Sequence, residues 1–183
     1  PTILLFILFS AKIAGFYAIA IRILSLPIIL VSNSVRQVFF QDASEKINNK
    51  QSILKLFTQT TKYLLLIATL PTLLMLLFGP QIFGLIFGKD WVQAGLFATI
   101  LSPWYLLVMA NSPSSTSIYL LKLNQFQLWY DCLLLLFRIL AILIGYIIYE
   151  SAIYSIVFVS LVGVIFNSLL IIIIFLKIQK QLN

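Results

Sequence analysis

The chain has 183 residues, of which 62% are hydrophobic and only 9% are charged. Its mean hydropathy is +1.09, whereas an ordinary soluble domain is about 45–50% apolar. The sequence therefore predicts an integral membrane protein with little room for a soluble domain. It contains no histidine and one cysteine, Cys132, which excludes histidine-based acid–base catalysis, the usual zinc sites and an internal disulfide.

The net charge of +7 comes from cations scattered near the ends of apolar segments. This distribution argues against a nucleic acid as partner and is typical of the positive-inside rule. If the C-terminus is cytoplasmic, that side carries Lys46, Lys50, Lys55, Lys122, Lys177 and Lys180, with Arg36 and Lys62 near it. The opposite side then carries only Lys12 and Lys89. We therefore predict a multi-pass protein whose C-terminus is cytoplasmic.

The apolar segments predict an all-α fold with one partial span at residues 1–9 and five full spans. A helix of about 20 apolar residues crosses a bilayer. The full spans cover residues 15–40, 56–78, 92–121, 126–148 and 152–176. The chain starts with Pro1 and enters an apolar run at once, without the basic region of a signal peptide. We therefore expect a piece of a longer protein that begins inside a helix.

The first full span carries a polar stripe. At about 100° per residue, one arc of this helix contains Arg22, Ser25, Ser32, Asn33 and Arg36. A charge in hydrocarbon is costly, so such residues usually face a bundle interior or a watery cavity. A helix–helix interface joined by small polar groups is the alternative, but an interface rarely needs an arginine. The stripe therefore favours a cavity, and Arg22, Ser25, Asn33 and Arg36 are candidate binding residues.

The polar stretch over residues 41–63 predicts a loop that leads into an amphipathic helix. Asp42 and Glu45 match the N-cap and N3 positions of a capping box. Paired carboxylates could also serve acid–base chemistry, but capping is the favoured interpretation.

The span over residues 56–78 is predicted to end at Gly79-Pro80. Residues 81–91 then predict a short interfacial helix with Gly88 as its C-terminal cap. Gly84 and Gly88 also form a GxxxG pattern, which usually indicates close packing only.

The last three spans contain further polar groups. Residues 111–117 read Asn-Ser-Pro-Ser-Ser-Thr-Ser and predict either a hinge or cavity wall, or a helix end near the cytoplasm. One face of the next span holds Gln127, Asp131, Arg138 and Gly145. Asp131 and Arg138 are about 10 Å apart along the axis, so Arg138 needs a partner from another helix, a water or a ligand. Both are added to the candidate binding residues.

The final span, residues 152–176, carries Ser160, Gly163 and Asn167 on one face. This stripe predicts a packing seam rather than a binding site.

Motifs for catalysis are absent from the sequence. It has no G-x-x-x-x-G-K-[ST] phosphate loop, no G-x-S-x-G elbow and no metal-ligand cluster. We predict no enzyme, no catalytic residue, no metal site and no cofactor. Transport by this chain would draw on an ion gradient, a substrate gradient or another subunit.

A succession of short patterns indicates a family. In chain order they are Gly15-x-Tyr17, Ala20-x-Arg22-x-x-x-x-Pro27, Val38-Phe39-Phe40-Gln41, Pro71, Gly79-Pro80-x-x-Phe83-x-x-x-Phe87-Gly88 and Trp91-x-x-Ala94-Gly95. This order resembles the C-terminal half of polysaccharide biosynthesis flippases, the Wzx-type exporters of O-antigen lipopolysaccharide and exopolysaccharide. Their superfamily includes MATE multidrug exporters and the lipid II flippase. The resemblance rests mainly on residues 15–95; after about residue 125 only apolar character and a basic tail match.

The resemblance implies two six-helix lobes around a central cavity, with residues 1–183 as the second lobe and an N-terminal lobe as its partner. It also implies flipping of an undecaprenyl-pyrophosphate-linked oligosaccharide across a bacterial plasma membrane by alternating access. Membrane lipids would surround the lobe. Cavities of this family are cationic, a role for which Arg22, Arg36 and Arg138 are candidates, since guanidinium binds phosphate bidentately.

Three other functions remain open from the sequence. A MATE-like drug or metabolite antiporter would need acidic cavity residues, and only Asp131 fits. An integral-membrane transferase would need a polar catalytic loop, and a non-catalytic scaffold would not explain arginines on polar stripes.

Overall fold

Seven α-helices joined by short turns account for nearly all of residues 1–180, the part of the chain that the computed structural model describes. They are α1 (Thr2–Leu8), α2 (Ala11–Asn48), α3 (Leu54–Phe87), α4 (Val92–Ala110), α5 (Ser112–Leu120), α6 (Asn124–Tyr149) and α7 (Ala152–Lys180). A short 3-10 turn, Lys89–Trp91, joins α3 to α4.

Five stretches of the described chain are long and apolar enough to cross a membrane. They are α2, α3, the combined stretch Lys89–Leu120 that holds α4 and α5, then α6 and α7. The short helix α1 packs against α2 and α6 and corresponds to the predicted partial span. The prediction of an all-α integral membrane lobe with five full spans is confirmed.

The predicted polar loop after the first full span is wrong. Asp42 and Glu45 lie inside α2, which continues without interruption to Asn48, so they form no capping box. Phe39 and Ala43 are buried in one cluster with Phe57 of α3, and this packing extends the helix beyond its apolar core. The chain turns only afterwards, at Lys50, whose φ of 55° is left-handed.

The predicted interfacial helix over residues 81–91 is also wrong as a separate element. α3 continues through Pro80 to Phe87, and Gly88 caps it with a φ of 98°, as predicted. Tertiary packing overrides the break expected at Pro80, because Gly79 of α3 lies directly against Gly95 of α4. Nearby, the Thr99 hydroxyl of α4 donates to the Met75 carbonyl of α3 at 2.8 Å.

The centre of the lobe is α4, which packs against α2, α3 and α7. The main buried cluster joins residues of α2, α3, α4 and α7, among them Tyr17, Phe83, Leu101, Trp104 and Ile156. The helix α6 packs chiefly on α7. This arrangement leaves an opening in the lobe between α2 and α6.

Candidate functional site

A cavity of about 510 Å³ occupies the opening between α2, α4, α5, α6 and α7. Its polar and charged lining residues are Ser25, Arg36, Tyr105, Asn111, Ser112, Ser115, Gln127, Tyr130, Asp131, Arg138 and Asn167. Its apolar lining residues are Ile28, Ile29, Trp104, Val108, Leu134 and Leu170. The helices that form it are candidate membrane spans, and the cavity holds Arg138 near the middle of α6 and Arg36 nearer the lysine-rich end of α2.

Four of the six predicted binding residues line this cavity. Ser25 and Arg36 reach it from α2, and Asp131 and Arg138 reach it from α6. Arg22 and Asn33 are exposed on α2 and do not contribute to its lining. The helical period thus correctly predicts which face of α6 lines the cavity, whereas the polar stripe on α2 extends beyond the cavity.

Arg138 is the most constrained of these residues. Its guanidinium carbon lies 4.5 Å from the ring centroid of Trp104, a cation–π contact. Among the described residues, its buried Nε has no hydrogen-bond acceptor. Tyr105, Tyr130 and Asp131 line the same cavity as Arg138. Stacking on Trp104 thus holds a guanidinium whose buried Nε finds no acceptor within residues 1–180.

Trp104 is itself held by a glycine of α7. The indole is only 5% exposed, and a Cβ atom at Gly163 would collide with its ring. One turn away, the Ser160 hydroxyl donates to the Ile100 carbonyl at 2.7 Å. These contacts confirm the predicted packing seam for Ser160 and Gly163, whereas its third residue, Asn167, also lines the cavity. They also show that the seam supports Arg138 through Trp104.

Trp104 was missed by sequence reasoning, although one signal was present. Tryptophan in membrane proteins concentrates at the interfaces, yet Trp104 lies well inside the stretch Lys89–Leu120. It lines the same cavity as the adjacent Tyr105. A tryptophan at mid-span on the polar face was the available clue.

The polar run at residues 111–117 forms a wall of the cavity at a helix break. α4 ends at Ala110 and α5 starts at Ser112. Pro113 has no N–H to offer the Met109 carbonyl, and the Ser112 hydroxyl donates to that carbonyl instead, at 3.1 Å. The structure therefore favours the interpretation of this run as a cavity wall, because α5 continues to Leu120.

Asn111 ties this break to α7. Its side-chain amide donates to the Asn167 side-chain oxygen at 2.8 Å and to the Asn167 carbonyl at 3.0 Å. The Asn167 amide in turn donates to the Gly163 carbonyl at 2.7 Å. This network fixes two walls of the cavity beside the contact between Gly163 and Trp104.

Asp131 is engaged within its own helix. Gln127 donates from its side-chain amide to both carboxylate oxygens of Asp131, each at 2.9 Å. The neighbouring Tyr130 hydroxyl donates to the Phe166 carbonyl of α7. The Asp131 carboxylate thus has an amide donor within its own helix, whereas the buried Nε of Arg138 has no acceptor among the described residues.

Comparison with known proteins gives one match. A family model described as "Polysaccharide biosynthesis protein" matches residues 2–95, just over half of the chain. The match covers α1, α2, α3 and the start of α4, and it includes Arg36 but not Arg138. No curated protein and no solved structure matches the chain.

Proposed function

Because the chain belongs to the polysaccharide biosynthesis protein family, we propose that it moves a lipid-linked oligosaccharide across the membrane. In this proposal the chain is the C-terminal lobe of a Wzx-type, MATE-like flippase. It acts with an N-terminal lobe on an undecaprenyl-pyrophosphate-linked repeat unit in a bacterial plasma membrane. Alternating access around the shared cavity carries the substrate between leaflets.

One observation carries the proposal: Arg138 lies in a membrane-depth cavity with a buried donor that no described residue satisfies. Leaving a buried charged donor unpaired is costly, so a ligand with acceptor oxygens would relieve that cost. Arg36 lines the same cavity from α2. A pyrophosphate offers several anionic oxygens, which suit two guanidinium groups.

The distribution of lysines supports a cytoplasmic C-terminus. One buried cluster joins residues from the end of α2, the α2–α3 turn, the α5–α6 turn and the second half of α7, so these parts of the chain lie on one side. That side carries Lys46, Lys50, Lys55, Lys122, Lys177 and Lys180. In the proposed orientation it is cytoplasmic by the positive-inside rule, and the substrate enters from there.

A MATE-like antiporter of cationic compounds is the second candidate, and Asp131 is the observation in its favour. Its carboxylate lines the cavity and would attract a cation. Gln127 already donates to both of its oxygens, and the two cavity arginines outnumber it. The balance of charge therefore favours an anionic substrate.

Complementation tests the proposal. The full-length gene is expressed in a bacterial strain that lacks its own flippase, and surface polysaccharide is measured. Wild type should restore it. At matched protein levels, Arg138→Ala and Arg36→Ala should each reduce it about tenfold or more, since a hydrogen bond to a charged group contributes about 1.5–3 kcal/mol.

The matched control is Lys62→Ala, which removes an exposed cation of α3 outside the cavity lining. It should leave surface polysaccharide unchanged. Rescue by all arginine variants would make both arginines structural residues. Failure of wild type across several sugar backgrounds would favour the antiporter instead.

A further inference from the structure

A second open pocket, of about 490 Å³, continues from the cavity toward the lysine-rich end of the lobe. It is lined by Arg36, Gln37, Phe40, Ser115, Thr116 and Tyr119, and we name it the α2–α5 groove. Arg36 and Ser115 line both the groove and the cavity. The two spaces therefore form one continuous surface with Arg36 at their junction.

The walls of the groove extend those of the cavity by one helical turn. Phe40 lies four residues after Arg36 on α2, and Tyr119 lies four residues after Ser115 on α5. Four residues advance a helix by about 6 Å and keep nearly the same face. A ligand with its charged group in the cavity can therefore extend past Arg36 into the groove without leaving the protein surface.

The chemistry of the groove differs from that of the cavity. Among the described residues that line it, Arg36 alone is charged, and the groove's main features are two aromatic rings with centroids 6.1 Å apart, tilted by 44°. Phe40 is 41% exposed and Tyr119 is 66% exposed, so parts of both rings are open to a ligand. Gln37 and Ser115 add amide and hydroxyl groups beside them.

Such a lining fits a neutral ring that carries many hydroxyl groups. The C–H face of a sugar packs on the electron-rich face of an aromatic ring, while amide and hydroxyl groups bond its hydroxyls. A lipid tail would leave the polar groups of Gln37 and Arg36 without partners in the groove, which disfavours it.

We propose that the α2–α5 groove binds the sugar next to the pyrophosphate of the lipid-linked substrate, with Phe40 and Tyr119 as its stacking platform. The inference rests on the proposed function. Arg36 then contacts the phosphate–sugar junction, because it belongs to both spaces.

Binding of two lipids by the intact protein tests this assignment. One probe is a polyprenyl pyrophosphate, and the other is the same lipid carrying a disaccharide. Affinities are measured in nanodiscs of uncharged lipid, so that the lysine-rich end attracts no competing head groups. Tyr119→Ala and Phe40→Ala should each weaken the sugar-bearing lipid about tenfold, the equivalent of one good aromatic contact. They should leave the sugar-free lipid unchanged.

The matched control is Tyr63→Ala, because Tyr63 of α3 is 64% exposed, much like Tyr119, and lies outside the groove. It should change neither affinity. Equal weakening of both lipids by the groove variants would assign the groove to the lipid part and overturn the proposal. If the groove variants weaken binding no more than Tyr63→Ala does, the proposal is overturned as well. If wild type binds neither lipid, the proposed function itself fails, and the groove assignment fails with it.

Discussion

Two contacts of the central helix α4 require glycine, and glycine has a different role in each. At the α3–α4 contact, Gly79 and Gly95 let two backbones touch. At the α4–α7 contact, Gly163 faces the indole of Trp104, and that indole makes the cation–π contact with Arg138. The first contact joins two helices, whereas the second one builds the wall of a binding cavity.

The difference shows how one device, a small residue at a membrane helix interface, can serve stability or function. Where an added methyl group meets a backbone, the whole helix has to move. Where it meets a side chain, that side chain can rotate, but it then loses its contacts with other residues. Adding one methyl group at each glycine therefore separates the two roles.

Gly95→Ala should have the largest effect. The new Cβ would meet the Gly79 carbonyl and the Pro80 Cα of α3, so α3 and α4 would have to separate. Overpacking of this kind costs about 1–3 kcal/mol, occasionally more, and we expect the upper end here. The measurement is thermal stability and yield of purified protein in detergent. An unchanged melting temperature would show that α3 and α4 can accommodate a methyl group between their backbones at Gly95.

Gly163→Ala should act mainly on ligand binding. The methyl group would displace the Trp104 ring, and Arg138 would lose its cation–π partner. We expect affinity for pyrophosphate lipid to fall about threefold to tenfold, the equivalent of such a contact. Binding to purified protein measures this, with tryptophan fluorescence as a second readout of the indole environment.

A double variant makes this prediction sharper. Trp104→Ala removes the ring that the Gly163→Ala methyl group would displace, so adding Gly163→Ala to Trp104→Ala should lower the affinity no further. A further loss in the double variant would show that the α7 backbone causes the effect, and not the support of Arg138.

Much of this architecture is predictable from the sequence. The five spans follow from apolar length, and the α6 face with Asp131 and Arg138 follows from the helical period. The features that the sequence does not predict depend on packing against neighbouring helices. The extension of α2 to Asn48 depends on Phe39 packing with Phe57, and the continuity of α3 through Pro80 depends on Gly95.

The arginines of α2 also depend on neighbouring helices. Periodicity places Arg22 and Arg36 on one stripe of α2, yet only Arg36 lines the cavity. Which part of a stripe faces a cavity depends on where the opposing helices end and break. The break at Asn111 and the position of Trp104 determine this, and neither can be derived from α2 alone. A substrate role for Arg22 stays a prediction.

Gly15→Ala should have the smallest effect, with the opposite sign. A Cβ at Gly15 meets no heavy atom within 4 Å, although Gly15 lies inside α2 like the other tested helical positions. Glycine in a helix interior costs about 0.5–1 kcal/mol relative to alanine, so stability should rise slightly. The same thermal unfolding assay used for Gly95→Ala measures it. A loss of stability would mean that another element packs on Gly15 in the intact protein, and the open face of α2 would then be an interface.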